Sequence, residues 1–237
     1  MKKRNPYFIF LLVLPLVLFI SCLDSNSNDE FETASFFSLT LNVTNIGGGL
    51  FDGQNTMVVE SIKFTLRNVE LERENQNNLN FGQGLGVASF STTNTDDLTL
   101  GNGQVGQGLF SGIQFDISKP RSTDSITDTD LVEFTNGEVT NTFSIVVRGS
   151  FNDDNFVFRS DEELAVDLSF ESIVNMPANN GLMVIRLLPN ANNWFRDEQS
   201  RLINPAGANE EQILQISENI RDSFRPDVIV RNAAEFL

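Results

Sequence analysis

The residue types that could carry chemistry are unevenly represented in this 237-residue chain, and carboxylates dominate them. The sequence has 32 Asp and Glu residues and no His, and its single Cys and single Tyr are Cys22 and Tyr7. Ser-His-Asp and Cys-His nucleophile sites, and the His or Cys ligand sets that hold zinc or copper, are therefore excluded. The chemistry that remains is a carboxylate pair, a cation site built from oxygen ligands, or a hydroxyl assisted by lysine.

The densest group of carboxylates lies in the segment STDSITDTD that begins at Ser122, where Asp124, Asp128 and Asp130 are followed by Glu133. Acidic loops of this kind can hold Ca²⁺, which takes six to eight oxygen ligands. The spacing is not that of an EF-hand, and the central glycine is missing. A solvated loop is therefore the favoured interpretation, with a calcium-dependent binding domain as an alternative.

Two carboxylates that flank a cleft could also hydrolyse a glycosidic bond, at a separation of about 5 Å in retaining enzymes and about 6.5 to 9.5 Å in inverting ones. With 32 acidic residues the sequence does not select a pair. A carboxylate-based glycoside hydrolase is accordingly the competing hypothesis. The leading hypothesis is a non-enzymatic binding or adhesion module for a protein or glycan partner, with no cofactor, because the common catalytic residue types are missing.

The N-terminal segment has the pattern of an export signal. Lys2, Lys3 and Arg4 form a cationic start, and an apolar run extends from Tyr7 to Ile20. The run is interrupted by Pro15 and is shorter than the roughly 20 residues that a helix needs to cross a bilayer. Residues 1–21 are therefore predicted to be a signal peptide.

The tetrapeptide Phe19-Ile20-Ser21-Cys22 resembles the lipobox of bacterial lipoproteins. The resemblance implies that the chain is cut before Cys22, that fatty-acyl chains such as palmitate are attached to it, and that the protein is anchored in the outer membrane. The acidic segment 22–35 is predicted to be a flexible tether. Its early acidic residues resemble a signal for surface display in some Gram-negative lipoproteins, and display toward the periplasm stays open.

The charge of the predicted mature chain bears on its partners. From Cys22 onward the sequence has 13 basic and 32 acidic residues, a formal charge of −19. A surface of that sign repels phosphate backbones and anionic lipid headgroups. Nucleic-acid binding is therefore not expected, and contact with the membrane is assigned to the lipid.

Alternating apolar residues predict a series of short strands in segment 36–188. Phe37, Leu39 and Leu41 alternate with polar residues, and a change of phase at Arg67-Asn68 indicates a β-bulge. Strands separated by turn residues, with one late helix, predict an all-β antiparallel sandwich of Greek-key type. A closed barrel is the alternative.

Segment 189–237 is predicted to pack on this sandwich as a loop, a helix and a short strand. Asn209 and Gln212 form a capping-box pattern at the start of the helix. The loop contains Trp194 and Phe195, which are candidates for a partner surface because aromatic residues are enriched in interface hot spots. The favoured interpretation, because a single Trp next to an amphipathic helix is more often part of the core, is that Trp194 or Phe195 packs under the apolar face of the helix.

Two strand segments carry a second resemblance, which rests on their apolar pattern. The segments are VESIKFTLRNVEL, from Val59 to Leu71, and GLFSGIQF, from Gly108 to Phe115. Together they resemble the front half of uncharacterised β-sandwich lipoproteins of Gram-negative bacteria, and they are faintly similar to methanobactin-associated copper-binding proteins. The copper ligands of the second family are missing here, so no metal is carried over.

Overall fold

The computed structural model describes residues 35–80, 86–93, 96–121, 124, 132–135, 142–177 and 181–232, and all of them belong to one compact unit. The strands are β1 (Ser35–Leu41), β2 (Gly49–Phe51), β3 (Thr56–Arg73), β4 (Leu79–Asn80), β5 (Gly86–Ser91), β6 (Leu98–Val105), β7 (Gly108–Ile117), β8 (Ile145–Phe151), β9 (Asp154–Ser160), β10 (Leu164–Met176), β11 (Gly181–Leu187) and β12 (Pro226–Asn232). The helices are α1 (Val132–Thr135) and α2 (Glu210–Asp222).

These strands form two separate sheets, so the described part of the chain does not form the closed barrel that the sequence left open. The smaller sheet has the order β12-β11-β1-β6. The larger sheet follows β10-β7-β3-β8-β9, and β2, β4 and β5 also pair with the long strand β3. One hydrophobic core contains buried side chains of both sheets and of α2.

The expectation of purely antiparallel pairing is wrong for one pair of strands. β1 runs parallel to β11, with Phe36 opposite Leu182 and Leu41 opposite Leu187. Parallel neighbours need a long crossover connection, whereas antiparallel neighbours can be joined by a tight turn. Here every strand of the larger sheet lies between β1 and β11 in the chain, and this long connection allows β11 to lie beside β1 in the parallel direction.

The predicted bulge in β3 is confirmed. The register against β7 shifts between Arg67 and Glu70, and Asn68 has a positive φ of 52°. Asn tolerates this left-handed conformation better than most residues. The shift returns the later residues Val69 and Leu71 to the buried side of the strand.

Helix α2 begins and packs as its sequence predicts. The Asn209 side chain accepts a hydrogen bond from the Gln212 N–H at 2.9 Å, and Gln212 Oε1 accepts one from the Asn209 N–H at 3.1 Å. Both residues thereby satisfy N–H groups that the first helical turn leaves free. Ile216 and Ile220 are buried in the core. Neither of the helices in the described residues is long and apolar enough to cross a bilayer.

Candidate functional site

The predicted lipidation site, Cys22, lies outside the described residues, as do the signal peptide and most of the tether. The other sequence-derived candidates, Trp194 and Phe195, are both 0% exposed. Neither ring is available at the surface to contact a partner, so the assignment of these two side chains to a partner surface is wrong.

The burial of both rings follows from their partners in the core. The Trp194 ring packs edge-on against Phe64, with ring centroids 6.2 Å apart, and its Nε1–H donates to Ser223 Oγ at 2.8 Å. Phe195 packs against the rings of Phe156 and Phe158 from β9. The indole thus satisfies its polar atom while its apolar surface is removed from water. These aromatic rings belong to the core beneath the loops at this end of the molecule.

The acidic segment after β7 is described in part, and its two described acidic residues are paired with cations. Asp124 forms an ion pair with Arg67, whose exposure is 8%, and accepts a hydrogen bond from the Arg121 N–H at 2.6 Å. The Arg67 guanidinium lowers the pKa of the Asp124 carboxyl. Glu133 lies 3.5 Å from Lys63 and 3.4 Å from Arg148.

These ion pairs bear on the calcium alternative. Each of these two carboxylates already has a cationic side chain as its partner, which would repel a Ca²⁺ ion that bound to the same carboxylate. Asp128 and Asp130 lie outside the described residues. Within the described ranges, no group of three or more Asp, Glu, His or Cys side chains is arranged to hold a metal ion.

A polar groove of about 720 Å³ is lined in part by the loop that follows Trp194 in the chain. We call it the loop groove. Its walls come from the β2–β3 turn, from the loop before α2 and from the first turns of α2. The residues that line it are Asp52, Gly53, Gln54, Asn55, Asp197, Arg201, Leu202, Ile203, Asn204, Gln212 and Gln215.

Both oxygens of Asp52 are saturated with hydrogen bonds. Oδ1 accepts from the backbone N–H groups of Gln54 and Asn55 at 2.9 and 2.7 Å. Oδ2 accepts from the Leu202 N–H at 2.8 Å and from Asn55 Nδ2 at 3.3 Å. These backbone N–H groups hold the pKa of the Asp52 carboxyl well below its usual range. Asp52 therefore fastens the β2–β3 turn to the loop that contains Leu202.

Asp197 is saturated in the same way by its own loop. Its Oδ1 accepts from the N–H groups of Gln199 and Arg201, both at 2.9 Å. Its Oδ2 accepts from the guanidinium of Arg201, at 2.8 Å from Nε and 2.7 Å from Nη2. These contacts, chiefly the one with the Arg201 side chain, lower the pKa of the Asp197 carboxyl. Like Asp52, Asp197 has no lone pair left for a ligand or a metal.

Further contacts tie the turns at this end together. Asn152, in the β8–β9 turn, accepts a hydrogen bond from the Thr56 N–H at 2.8 Å and donates to Asn55 Oδ1 at 3.0 Å. Arg196 Nη1 donates to the Ser200 carbonyl oxygen at 2.6 Å. Three loops that are distant in sequence thus form one connected rim.

Several groups in the loop groove keep free hydrogen-bonding capacity. Within the described chain, the side-chain amides of Gln54 and Gln215 make no hydrogen bond to protein, and Nε2 of Gln212 is also open. Nη1 of Arg201 is open as well, on a side chain that is 70% exposed. Phe51, which precedes the lining residue Asp52 in the sequence, is 63% exposed. The groove therefore offers fixed walls, open amides and one open guanidinium nitrogen.

A second polar region lies on the outer side of the larger sheet. We call it the carboxylate face, and it consists of Glu70, Glu72, Asp116 and Asp167. Part of it borders a groove of about 360 Å³. Glu70 accepts hydrogen bonds from Asn80 Nδ2 at 2.7 Å and from Gln114 Nε2 at 2.8 Å.

Glu72 differs from the other carboxylates of this face. Strand register places it opposite Gly112, and a Cβ at that glycine would overlap Glu72 Oε2 and lie 2.8 Å from the carbonyl oxygen of Leu168. Burial raises the pKa of the Glu72 carboxyl, and the nearby Asp167 carboxylate raises it further. Perturbed pairs of this kind are enriched at catalytic sites, although structural pairs show them as well.

Comparison with known proteins provides no relative from which a function could be transferred. No protein-family model matches the chain, and no significantly similar curated protein or solved structure was found. The resemblances of the N-terminal segment and of the two strand segments to lipoproteins therefore stay predictions.

No pattern in the sequence predicts the loop groove as a whole. The Asp52-Gly53 pair breaks the run of strand residues, and an Asp followed by Gly and two more polar residues indicates a turn in which the carboxylate binds backbone N–H groups. That signal locates a rigid turn. It gives no indication that Leu202, 150 positions away, supplies another N–H to the same carboxylate.

Proposed function

We propose that this protein is a non-enzymatic binding module of the cell envelope, anchored in the outer membrane through acyl chains on Cys22. The loop groove is its binding site for a protein or glycan partner, at the cell surface or in the periplasm. For the fold we propose a Greek-key β-sandwich with one parallel strand pair. The placement of β9 and β10 at opposite edges of the larger sheet supports that topology.

The observation that carries this proposal is the saturation of Asp52 and Asp197. A catalytic carboxylate must exchange a proton or attack the substrate, and it needs an accessible lone pair for either role. Each of these two carboxylates already accepts four hydrogen bonds, and their pKa values are lowered. The open amides support recognition of a ligand because they can bind it without altering it.

The rigidity of the rim supports the same proposal. Binding sites are commonly formed by loops that a rigid scaffold holds in place, and ordering a loop before binding reduces the entropy lost on association. Here the rim is fixed by hydrogen bonds, and the Ile203 N–H donates to the carbonyl oxygen of the buried Phe195 at 2.9 Å, which ties the loop to the core.

Two measurements test this proposal. Full-length protein extracted from membranes should turn over no member of a broad panel of glycoside, ester and peptide substrates, and any turnover that survives purification contradicts the non-enzymatic assignment. In growing cells, Cys22→Ser should abolish labelling by a fatty-acid analogue and leave the precursor uncut. Labelling that persists in this variant contradicts the anchor.

One observation favours a second candidate, a glycoside hydrolase that uses the carboxylate face. Hydrolysis of a glycosidic bond commonly uses one carboxyl with a raised pKa beside a second carboxyl group, and burial together with the nearby Asp167 raises the pKa of Glu72. Hydrolysis of a glycoside that is lost in Glu72→Gln and kept in Asp52→Asn would favour this candidate over the binding module.

A further inference from the structure

We infer that the ligand of the loop groove is a neutral, hydroxyl-rich oligosaccharide. This inference rests on the proposed function, since it specifies the partner of the same groove. It follows from four features: the open amides, the closed charges, the absence of an open strand edge among the residues that line the groove, and the exposed ring of Phe51.

The open amides match the chemistry of sugar hydroxyls. Gln54 comes from the β2–β3 turn and Gln215 from α2, so separate elements present them to one space. An amide side chain offers a carbonyl oxygen that accepts and an NH₂ that donates two hydrogen bonds, and a hydroxyl group both donates and accepts. Adjacent hydroxyls of one sugar ring can therefore satisfy both halves of an amide.

The charges in the groove point away from ionic ligands. Asp52 and Asp197 have no free lone pair with which to hold a cation. Arg201 forms an ion pair with Asp197 and donates to Gln199 Oε1 at 3.0 Å, so the Asp197–Arg201 pair adds no net charge, although Nη1 of this 70% exposed side chain stays open as a hydrogen-bond donor. The mature chain carries a formal charge of −19, which repels anionic polysaccharides at a distance. The open groups of the groove, amides and this one donor, therefore suit a hydroxyl-rich ligand without net charge.

The walls of the groove fit a peptide less well. Peptides are commonly bound by addition to an open strand edge or by apolar pockets that accept their side chains. The groove is lined by a turn, a loop and a helix, and its two large apolar residues, Leu202 and Ile203, are buried. Its volume of about 720 Å³ falls in the range of small-ligand sites and accommodates a few sugar units.

Phe51 adds an apolar surface of the kind that sugars contact. Its ring is 63% exposed, and its carbonyl oxygen accepts a hydrogen bond from Arg196 Nη2 at 3.5 Å, which links the backbone at this position to the loop above the core. The C–H groups of a sugar ring can pack on such an aromatic face. Ordering this ring costs little side-chain entropy because it has only two rotatable bonds.

The test uses full-length protein in detergent on one array with three sets of spots. These are neutral oligosaccharides of three to six hexose units, oligosaccharides with carboxylate or sulfate groups, and peptides. The wild type should bind within the neutral set. The double variant Gln54→Ala with Gln215→Ala should bind at least tenfold more weakly at an unchanged Tm, because neither amide has a protein partner to lose.

Matched variants distinguish the groove from the rest of the surface. Gln104→Ala removes an exposed amide on β6, and Phe36→Ala removes a 47% exposed ring on β1, and both should bind like the wild type. Phe51→Ala should weaken binding several-fold.

Each outcome on the array has a different consequence. Binding to peptides that the double variant loses would overturn the glycan inference and leave the groove as a binding site. Preference for the charged oligosaccharides would overturn the argument from charge and with it the inference. Binding that the double variant retains, or no binding in any set, would overturn the inference and also the assignment of the groove.

Discussion

In the loop groove, Asp52 and Asp197 each accept four hydrogen bonds, whereas on the carboxylate face Glu72 accepts none from the described residues and lies near a second carboxylate. The surroundings lower the pKa of the Asp52 and Asp197 carboxyls and raise the pKa of the Glu72 carboxyl. Folding therefore favours the ionised form of Asp52 and the protonated form of Glu72. Carboxylates alike in sequence thus fasten loops in one region and carry a titratable charge in the other.

The largest effect is expected from the buried aromatic residue that precedes the loop of the groove in the chain. Trp194→Ala should lower the free energy of unfolding by roughly 3 to 5 kcal/mol, because it leaves a cavity beside Phe64 and removes the hydrogen bond that Ser223 Oγ accepts from the indole. Chemical denaturation measures this loss. Acrylamide should quench the native indole poorly, since Trp194 is the only Trp in the sequence.

The exposed ring of Phe51 provides the control. Phe51→Ala should change the free energy of unfolding by less than about 0.5 kcal/mol. Free quenching of the indole together with an unchanged midpoint in Trp194→Ala would contradict the burial of Trp194 in the core.

On the carboxylate face, the substitution with the largest expected effect on stability is at Gly112. Gly112→Ala should destabilise the protein by about 1 to 3 kcal/mol, because the new Cβ overlaps the Glu72 carboxylate and approaches the Leu168 carbonyl oxygen. Adding Glu72→Ala should recover part of the loss. Thermal unfolding of the single and double variants measures the coupling between these two positions.

The control for this pair is Gly106, where a Cβ would meet nothing within 4 Å. Gly106→Ala should be nearly neutral. An equal loss in both alanine variants would indicate a general effect on the strands rather than the overlap with Glu72.

How far the sequence predicted this structure depends on how local each signal is. The β3 bulge and the cap of α2 are set by residues within a few positions of one another, and both were predicted. The parallel pairing of β1 with β11 joins segments about 145 positions apart and has no local signal. The amphipathic helix that follows Trp194 favours its burial, but the contact with Phe64, 130 positions earlier, has no local signal.

The candidate sites follow the same rule. The turn at Asp52-Gly53 has a local signal, but the loop groove also needs a loop 150 positions further along the chain. The pairing of Glu72 with Asp167 depends on the register of three strands. For Cys22 the local pattern is the whole of the argument, and it stays a prediction.

A smaller effect is expected from Asp52→Asn, which keeps the shape of the side chain and removes the charge. The variant should have a lower Tm at neutral pH, because the backbone N–H groups of Gln54, Asn55 and Leu202 favour the carboxylate. A lowered pKa contributes stability that is present above the unfolded-state pKa and lost as the pH falls through the folded-state value. The difference in Tm should therefore persist until strongly acidic pH.

Glu198→Gln neutralises an exposed carboxylate next to Asp197 and is the matched control, with no expected change in Tm. If Asp52→Asn also left the Tm unchanged, the proposed role of Asp52 in holding the β2–β3 turn to the loop of Leu202 would be refuted.

The smallest effect, and the one with the opposite sign, is expected from Glu72→Gln. A raised pKa contributes stability that is present below the unfolded-state pKa and lost as the pH rises through the folded-state value. At neutral pH the ionised Glu72 is partly buried and lies near Asp167, so its replacement by Gln should raise the Tm slightly. As the pH falls and Glu72 becomes protonated, the Tm values of the wild type and of Glu72→Gln should converge.

Glu70→Gln is the control for this prediction. It weakens the hydrogen bonds that Glu70 accepts from Asn80 and Gln114, and it should lower the Tm. A Tm that falls in Glu72→Gln at neutral pH would show that Glu72, like Asp52, is held in its ionised form, and the contrast between the two regions would disappear.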